Sequence, residues 1–504
     1  MEDEGQEEMF MKHLFTMLLA LIAATASAYD FEAEGIYYNI LSEDDRTVEV
    51  AGNPYGYTGD VVIPAEVTYD GGTYSVTAIG DGAFDWCDDL TSVSMPSVTA
   101  IGDRAFYDCD ALTSVSMPMA TTIGNYAFNW CSALTSVEMP AVTTIGYMAF
   151  NDCSALTSVE MPSVTTIGNW AFSSCDNLAS VNMPVATTIG NDAFRNCSAL
   201  TSVSMPSVTT ISSSAFSYCS ALVSVSMPVA TTIGNGAFSD CSALVSVSMP
   251  VATKIFSYAF SDCSALASVS MPVATTIGGS AFYGCSALTS VEMPKAATIG
   301  DRAFYGCSAL TSVSMPVATK IFSYAFSDCS ALPSVDISSV TTIAIGAFRN
   351  CSALTSIDIP ASVTIIINSA FDGCNSLASV YCHWEQPLEC EQGFDETVLE
   401  TATLYVPIGT VDTYRSVYPW SEFVNIEEGN YSGISATPGS GLSVKVIDGA
   451  ISVEGGDGTA SAPVVEVYSA GGQCVYRGTD SSIGGLGHGI YVVKVGDTVQ
   501  KVAL

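Results

Sequence analysis

The chain has 504 residues, of which 13% are charged, and Asp and Glu outnumber Lys and Arg by 51 to 14. The formal charge of -37 disfavours binding to nucleic acid or anionic lipid, because phosphate groups are held by clustered Lys and Arg. A chain of this length normally divides into several domains. A repeat array can exceed the usual size of one domain, because each coil contacts only its neighbours.

The N-terminus has the pattern of an export signal, which we predict over residues 1–28. The cation Lys12 precedes an apolar run over residues 14–24, and residues 26–28 are the small side chains that a signal peptidase needs. The run is too short for a stable transmembrane helix. The residues before it are acidic, which is the wrong sign for a signal peptide, so we expect translation to start at Met11. The alternative is a cytosolic protein with a buried N-terminal helix.

Residues 29–77 predict short strands separated by turns. Alternating β-branched and polar residues flank Gly-rich turns such as Asp70-Gly71-Gly72, a pattern typical of β-hairpins. Because a solenoid has to cover its exposed first coil, we interpret this segment as a β-rich N-terminal cap.

Between residues 78 and 381 one short unit of sequence recurs. Thirteen cysteines follow each other at a strict interval of 22 residues, and a fourteenth follows after 23. A fixed period of this size indicates a solenoid, here of about fourteen coils. The cysteines are Cys87, Cys109, Cys131, Cys153, Cys175, Cys197, Cys219, Cys241, Cys263, Cys285, Cys307, Cys329, Cys351 and Cys374.

Each coil is predicted to contain two short extended pieces and a return segment. In the coil that begins at Leu112, an L-x-x-V-x-M spacing places Val115 and Met117 on the inner side of a strand, while Ser114 and Ser116 face outward. A second extended piece, Thr-Thr-Ile, leads into a helical or irregular return that carries the Ala-Phe pair and the cysteine. The apolar positions therefore form columns that stacking buries.

The repeat I-G-x-x-A-F-x-x-C-x-x-L-x-S-V-x-x-P, seen for example from Ile145 to Pro162, resembles the BspA-like leucine-rich repeats of bacterial surface proteins. The flanking segments also resemble this family. They are DFEAEGIYYNI and DVVIP before the repeats and residues 403–426 after them. This resemblance implies an α/β to mainly-β leucine-rich-repeat solenoid, with residues 382–428 as its C-terminal cap. It also implies export to the cell surface and adhesion to host or neighbouring-cell proteins.

The cysteine column is predicted to consist of free, buried thiols that act as small hydrophobic groups. Equivalent side chains of stacked coils point the same way, so neighbouring Cβ atoms lie about 4.8 Å apart, beyond the roughly 3.5–4.5 Å usual for disulfides. Near the end of the array, three cysteines and a histidine have the composition of a zinc site, although their spacing fits no standard zinc finger. They are Cys374, Cys382, His383 and Cys390. A Cys382–Cys390 disulfide is the alternative.

Aromatic side chains beside the Ala-Phe pair form the candidate binding surface. The outward strand positions are nearly all Ser and offer hydrogen bonds but no pocket. Tyr and Trp dominate interaction hot spots because they bury a large area at low entropic cost. The alternative is that these rings only stack between neighbouring coils and shield the core. We name this set the aromatic edge: Trp86, Tyr107, Tyr126, Trp130, Tyr147, Trp170, Tyr218, Tyr258, Tyr283, Tyr305 and Tyr324.

The composition changes after residue 428. Residues 429–441 are rich in Gly and Ser and predict a flexible linker. Residues 442–504 predict about seven short alternating strands, as in a small β-sandwich. The runs VEVYSAGGQCVYRG and GIYVVKV resemble the C-terminal sorting domain of type IX secretion substrates, which implies attachment to the outer surface of the cell.

Catalysis finds little support in the sequence, and we expect no enzyme activity, cofactor or metal. Only His383 and His488 remain after the predicted signal is removed, and H-E-x-x-H, phosphate-loop and G-x-S-x-G motifs are absent. We therefore expect a secreted surface protein that binds a host matrix or cell-surface protein, or alternatively a polysaccharide that stacks on the aromatic edge. Near-identical coils favour a long or repetitive ligand, because avidity multiplies weak contacts.

Overall fold

The structure is a computed structural model that describes residues 29–390, 392–429, 442–447, 450–455, 464–469, 474–480, 482–484, 490–495 and 498–503. The predicted signal peptide and nearly all of the predicted linker lie outside the described residues. The described chain divides into two compact units, one of residues 29–208 and 215–222 and one of residues 209–214 and 223–503. Within these ranges no helix has the length and hydropathy of a membrane span.

The first unit begins with the predicted β-hairpins. Its first six strands are β1 (Phe31–Ala33), β2 (Ile36–Ser42), β3 (Thr47–Val50), β4 (Gly59–Val62), β5 (Glu66–Tyr69) and β6 (Gly72–Ile79). Strands β1, β2 and β3 pair antiparallel in sequence order, and β5 pairs antiparallel with β6. Asp70 and Gly71 form the turn between β5 and β6, both with positive φ (46° and 75°). The predicted hairpin at this turn is confirmed.

The coils of the first unit each contribute one strand from the S-V-x motif and one from the Thr-Ile motif. The S-V-x strands are β7 (Leu90–Ser94), β9 (Ser114–Ser116), β11 (Ser136–Glu138), β13 (Ser158–Glu160), β15 (Ser180–Asn182) and β17 (Ser202–Ser204). The Thr-Ile strands are β8 (Ala100–Ile101), β10 (Thr122–Ile123), β12 (Thr144–Ile145), β14 (Thr166–Ile167) and β16 (Thr188–Ile189).

Two parallel sheets result, and the cap starts both of them. Strand β4 is the first strand of the sheet that continues through β7, β9, β11, β13 and β15, and β6 leads into the sheet of β8 to β16. Equivalent residues pair between coils, for example Val93 with Val115 and Ile123 with Ile145. The cap therefore covers the first coil by pairing with it, strand for strand.

The second unit repeats this arrangement. Its S-V-x strands are β19 (Ser224–Ser226), β21 (Ser246–Ser248), β23 (Ser268–Ser270), β25 (Ser290–Glu292) and β27 (Ser312–Ser314), followed by β30 (Ser356–Ile359) and β32 (Ser379–Cys382). Its second strands are β18 (Thr210–Ile211), β20 (Thr232–Ile233), β22 (Lys254–Ile255), β24 (Thr276–Ile277), β26 (Thr298–Ile299), β28 (Lys320–Ile321), β29 (Thr342–Ile343) and β31 (Ile365–Ile366).

The S-V-x sheet of the second unit is interrupted once. Residues 333–338 form no strand, and Pro333 stands where other coils have Thr, Val or Ala. Proline has no N–H to donate to a ladder, which accounts for the break between β27 and β30.

Beyond the repeats the parallel stacking continues. Strands β33 (Thr403–Val406) and β34 (Asn425–Glu428) extend the sheet of β30 and β32. The intervening chain forms the short helices α1 (Glu396–Thr401) and α2 (Val411–Tyr414) and a 3₁₀ turn (Trp420–Glu422). Asp395 caps α1 by accepting a hydrogen bond from the Val398 amide.

Seven antiparallel strands are described after the predicted linker: β35 (Leu442–Ile447), β36 (Ala450–Gly455), β37 (Val465–Ser469), β38 (Cys474–Gly478), β39 (Ser482–Ile483), β40 (Ile490–Val495) and β41 (Thr498–Ala503). They form a three-stranded sheet in the order β35-β36-β39 and a four-stranded sheet in the order β38-β37-β40-β41.

The predicted apolar columns are buried. In the coil that begins at Leu112, residues Val115, Met117, Phe128 and Cys131 are each at most 2% exposed. The repeat phenylalanines stack coil on coil and form what we call the phenylalanine column. In the first unit it runs from Phe84 to Phe216, with ring centroids 4.7–5.3 Å apart. In the second it runs from Phe238 to Phe394, with centroids 5.1–5.5 Å apart.

Candidate functional site

The return segment, for example residues 124–131, consists of successive turns rather than a helix. Alternate amides along it donate to the next coil: Tyr126 N–H to the Tyr147 carbonyl (2.7 Å), Phe128 N–H to Ala149 (2.7 Å) and Trp130 N–H to Asn151 (2.9 Å). The same ladder recurs in the other coils. It satisfies backbone groups that an isolated turn would leave to water.

This ladder coincides with left-handed backbone at two positions of each return segment. The first left-handed position precedes the Ala-Phe pair, as at Tyr126 (φ 57°), and the second precedes the cysteine, as at Trp130 (φ 65°). Gly, Asn and Asp adopt this conformation at little cost, and they occupy many of these positions, for example Gly82, Asp152 and Asn196.

Seven members of the aromatic edge stand at left-handed positions, where a bulky side chain is unusual. The ordinary cost of left-handed backbone for an L-residue is about 1–2 kcal/mol. The ladder also forms where Gly, Asn or Asp stands at these positions, as at Gly236, Asn196 and Asp152. The seven aromatic residues are Trp86, Tyr126, Trp130, Trp170, Tyr218, Tyr258 and Tyr324, with φ between 57° and 65°. The remaining four, Tyr107, Tyr147, Tyr283 and Tyr305, are at ordinary positions.

Three rings from successive coils meet near the start of the first unit. Tyr107 lies between Trp86 and Trp130, with centroid distances of 5.8 and 5.3 Å. The Arg104 guanidinium covers Tyr107 at 4.3 Å and pairs with Asp85 at 3.1 Å. Burial raises the pKa of Asp85, and the charge of Arg104 opposes this effect. Trp86 and Trp130 remain 59% and 43% exposed, so their faces are open to a ligand.

Two further groups occupy the first unit. Tyr126 and Tyr147 make an edge contact at 5.2 Å. The Arg195 guanidinium lies between Trp170 (5.9 Å) and Tyr218 (5.3 Å), each measured to the ring centroid. These contacts are cation–π interactions that order the rings without burying them completely.

In the second unit the aromatic edge is more dispersed. Tyr258 is 57% exposed, whereas Tyr283 and Tyr305 stack face to face at 5.0 Å. Tyr324 lies under Arg302 at 5.3 Å and packs against Gly346, where an added Cβ would come within 2.5 Å of its ring. The aromatic edge is therefore a series of local groups.

Both interpretations of the aromatic edge find support in this geometry. Contacts between rings of neighbouring coils involve Tyr107, Tyr283 and Tyr305, and they also include Trp86 and Trp130, which nevertheless stay 59% and 43% exposed. The sequence analysis missed Arg104, Arg195 and Arg302, which hold the rings in place. The sequence hardly distinguishes these three arginines from the other Lys and Arg residues, which number 14 in all. The one regularity is that Arg104 and Arg302 both stand directly before an Ala-Phe pair, at the first left-handed position.

The outward strand face is a ladder of small polar groups, as predicted. Ser116 donates to the Glu138 carboxylate at 2.7 Å, and the Asn182 amide donates to Glu160 at 2.7 Å. Glu138 and Glu160 are exposed partners in register on adjacent strands. These contacts link the coils.

The cysteine column is buried, as predicted, and all its thiols are free. The thiols do more than fill space, because they donate to a carbonyl of the preceding coil: Cys131 Sγ lies 3.0 Å from the Phe106 oxygen, and Cys175 Sγ lies 3.1 Å from the Phe150 oxygen. Burial raises the pKa of Cys87 to about 11 and the pKa of Cys374 to about 12. These groups are therefore poor nucleophiles at neutral pH.

The residues that imitate a zinc cluster have other roles. Cys382 is a buried free thiol and Cys390 a half-buried one, so the alternative disulfide is not formed. His383 Nε2 contacts Asp358 Oδ1 at 2.5 Å. Among the described residues, no three or more His, Cys, Asp or Glu side chains converge as metal ligands do.

The repeats match a known family over more than half of the chain. The family described as BspA type leucine rich repeat region matches in six copies, over residues 77–200, 187–298 and 253–378. The chain belongs to this BspA-type leucine-rich repeat family. The observed parallel array of short strands is its solenoid, with little helix in the described residues. The resemblance stated from the sequence is therefore confirmed for the repeats.

Three solved structures are similar to the chain to different degrees. A leucine-rich repeat protein from Bacteroides ovatus is 27% identical with a TM-score of 0.58, and the match covers 80% of this BspA-type chain and all of the other. A leucine rich cell surface protein from Faecalibacterium prausnitzii is 24% identical over 79% of this chain and 94% of the other (TM-score 0.37). A leucine-rich repeat protein from T. pallidum is 26% identical over 43% of this chain and 90% of the other (TM-score 0.32). No curated protein matches the chain.

Proposed function

We propose that this BspA-type protein is exported and displayed on a bacterial cell surface, where its aromatic edge binds a host matrix or cell-surface protein. Family membership supports an interaction or adhesion role in general. The proposed attachment is through the C-terminal β-strands, whose sequence resembles a type IX sorting domain. Two points are left to experiment. One is that the chain is displayed on the cell surface, and the other is which protein it binds there.

The observation that carries the proposal is the set of exposed rings on left-handed backbone. Trp86, Tyr218 and Tyr258 are 59%, 46% and 57% exposed at positions where Gly, Asn or Asp would cost less. Residues kept in a costly conformation without a folding role are candidates for function. Trp and Tyr on a rigid scaffold also lose little entropy on binding, which suits a contact surface.

A polysaccharide is the second candidate ligand. The group of Trp86, Tyr107 and Trp130 favours it, because Trp86 and Trp130 are two exposed rings that Tyr107 holds between them in successive coils. The acidic surface disfavours an anionic polysaccharide and leaves neutral or basic glycans.

A matrix-protein panel probed beside a glycan array distinguishes the two candidates. Saturable binding to one or more matrix proteins, with no glycan signal, is the expected result. A variant with Trp130→Asn and Trp170→Asn should lose this binding. The control Val223→Thr with Val245→Thr, which changes two exposed side chains outside the aromatic edge at a position where other coils have Thr, should keep it. Binding only to glycans would replace the first candidate by the second, and equal binding by both variants would reject the aromatic edge as the site.

A further inference from the structure

One face of the second unit is basic, although the chain as a whole is strongly acidic. It is the outer face of the parallel sheet that contains β22, β24, β26 and β28. The segments that carry these strands are 251–258, 273–280, 295–302 and 317–324. Their charged residues are Lys254, Lys295, Asp301, Arg302 and Lys320. Four cations therefore stand against one carboxylate, and that carboxylate already accepts a hydrogen bond from the Ser323 amide (3.0 Å).

Lys254 and Lys320 lie in one row of this sheet. The register runs from Lys254 through Thr276 and Thr298 to Lys320. Neighbouring strands are about 4.8 Å apart, so the two lysines leave the sheet about 14 Å from each other. Both are exposed, and no described residue forms an ion pair with either of them. Their ammonium groups are therefore available to an anionic ligand.

Each of these lysines has an exposed phenylalanine beside it. The sequence Lys-Ile-Phe-Ser-Tyr occurs at residues 254–258 and again at residues 320–324. Side chains alternate along a strand, so the Phe shares the outward side with the Lys while the Ile faces the core. Phe256 and Phe322 are 42% and 40% exposed. We name this set the Lys-Phe face: Lys254, Phe256, Lys295, Lys320 and Phe322.

The repeat does not account for the two phenylalanines. Most coils have Gly at the equivalent position, and an added Cβ at Gly278 or Gly300 would come within 2.5 or 2.6 Å of the preceding coil. A side chain here therefore requires a local shift of the backbone, and in these two coils the ring then faces solvent. Between them the row contains only Thr and Gly, so the rings stand on either side of a floor of small residues.

We propose that the Lys-Phe face binds an extended acidic segment of a partner protein that runs across the strands. An extended chain rises about 3.3 Å per residue, so two carboxylates at positions i and i+4 span about 13 Å and point the same way. This span matches Lys254 and Lys320, and an apolar residue at i+2 lies over the floor between the two rings. The surface belongs wholly to the second unit and does not depend on the aromatic edge binding a matrix protein.

The overall negative charge does not prevent this binding. Exposed charges farther away than about 8 Å are largely screened at physiological ionic strength, so the cations of the face determine the potential at contact. Val251 and Val317, three residues before the two lysines, are 43% and 46% exposed. Alkyl groups offer no stacking face to a sugar ring, which favours a peptide with apolar side chains over an anionic polysaccharide.

Fluorescence anisotropy of a labelled peptide, titrated with the full chain, tests the proposal. The probe is Ser-Glu-Thr-Leu-Thr-Glu-Ser, blocked at both ends. One control peptide has Gln in place of both Glu residues. Another, Ser-Glu-Thr-Leu-Glu-Thr-Ser, keeps the composition and moves one Glu to the opposite side of the extended chain. We expect the probe to bind at least tenfold more tightly than the Gln peptide and at least threefold more tightly than the shifted one. Added salt should weaken the probe.

Substitutions by the residues that other coils have keep the fold and remove the contacts. Lys254→Thr with Lys320→Thr should weaken the probe at least tenfold, because most coils have Thr there. Phe256→Gly with Phe322→Gly should weaken it at least threefold. The control Arg349→Gln with Arg415→Gln removes the same charge from exposed cations of the second unit outside the face, and it should keep the affinity.

Equal affinity for the probe and the Gln peptide, or unchanged affinity in the Lys254, Lys320 variant, would overturn the proposal. Binding of a heparin oligosaccharide but not of the probe would assign the face to an anionic glycan and overturn the acidic segment. The Trp130→Asn, Trp170→Asn variant should bind the probe normally, so failure of the Lys-Phe face and failure of the aromatic edge are distinguishable.

Discussion

Phe172→Ala removes one ring from the middle of the phenylalanine column of the first unit. The ring is fully buried and stacks on Phe150 at 5.1 Å and on Phe194 at 5.3 Å. Replacement of a buried Phe by Ala typically costs about 3–5 kcal/mol, and aromatic pairs contribute about 0.5–1.5 kcal/mol each. Because two such contacts are lost inside a closed column, we expect a cost near the upper end, about 4–5 kcal/mol.

Trp170→Asn, two residues earlier in the same return segment, is the matched control. It loses the contact of half-buried Trp170 with Arg195, worth at least the roughly 0.5–1 kcal/mol of an exposed cation–π pair. It also relieves the left-handed backbone at φ 60°, which costs an ordinary L-residue about 1–2 kcal/mol. The two effects nearly cancel, so the stability should change by no more than about 1 kcal/mol.

Hydrogen exchange of individual amides is the appropriate assay, because a repeat array opens locally and a single unfolding free energy is not well defined for it. The amides of Phe150 and Phe172, which donate to Ala171 and Ala193, report on the coils in question. Their opening free energies should fall strongly in Phe172→Ala and stay nearly constant in Trp170→Asn. Comparable losses in the two variants would show that the Trp170 ring is part of the core and would refute the assigned roles.

Two further predictions concern the cysteines. In the native chain, an alkylating reagent at pH 8 should modify exposed Cys474 rapidly and the repeat cysteines hardly at all, because burial disfavours their thiolates. After denaturation without reductant, mass spectrometry should find all 17 cysteines alkylated, whereas missing labels in the column would indicate disulfides. Cys175→Ala should lower the local opening free energy by about 1–2 kcal/mol, since the bond to the Phe150 carbonyl and some packing are lost. No change in hydrogen exchange there would mean that the thiol only fills space.

The period and its apolar pattern were sufficient to predict the strands and the buried columns. Val115 and Met117 alternate with Ser114 and Ser116, and this local alternation determines which side chains face the core. The cysteine interval gives the length of a coil directly. These features could be predicted because each one depends on residues close in sequence or at one fixed separation.

Contacts between coils were harder to predict, because they depend on the backbone φ angles of the return segment, which the repeat motif does not determine. Left-handed φ at Trp130 follows from the ladder to Asn151, not from the identity of Trp130 itself. The bonds from the thiols to phenylalanine carbonyls bridge 25 residues, three more than the repeat interval. The pairing of β4 with β7 and of β6 with β8 joins segments far apart in sequence, and no short motif encodes it.

The central claim is that the aromatic rings at left-handed positions bind a ligand and do not serve the fold. Surface plasmon resonance with a matrix protein selected from the panel tests it most directly, comparing the unmodified chain with the Trp130→Asn, Trp170→Asn variant. Loss of at least tenfold in affinity, with hydrogen exchange in both coils unchanged, is the result we predict. Unchanged affinity, or a loss that accompanies local unfolding of the two coils, would contradict it.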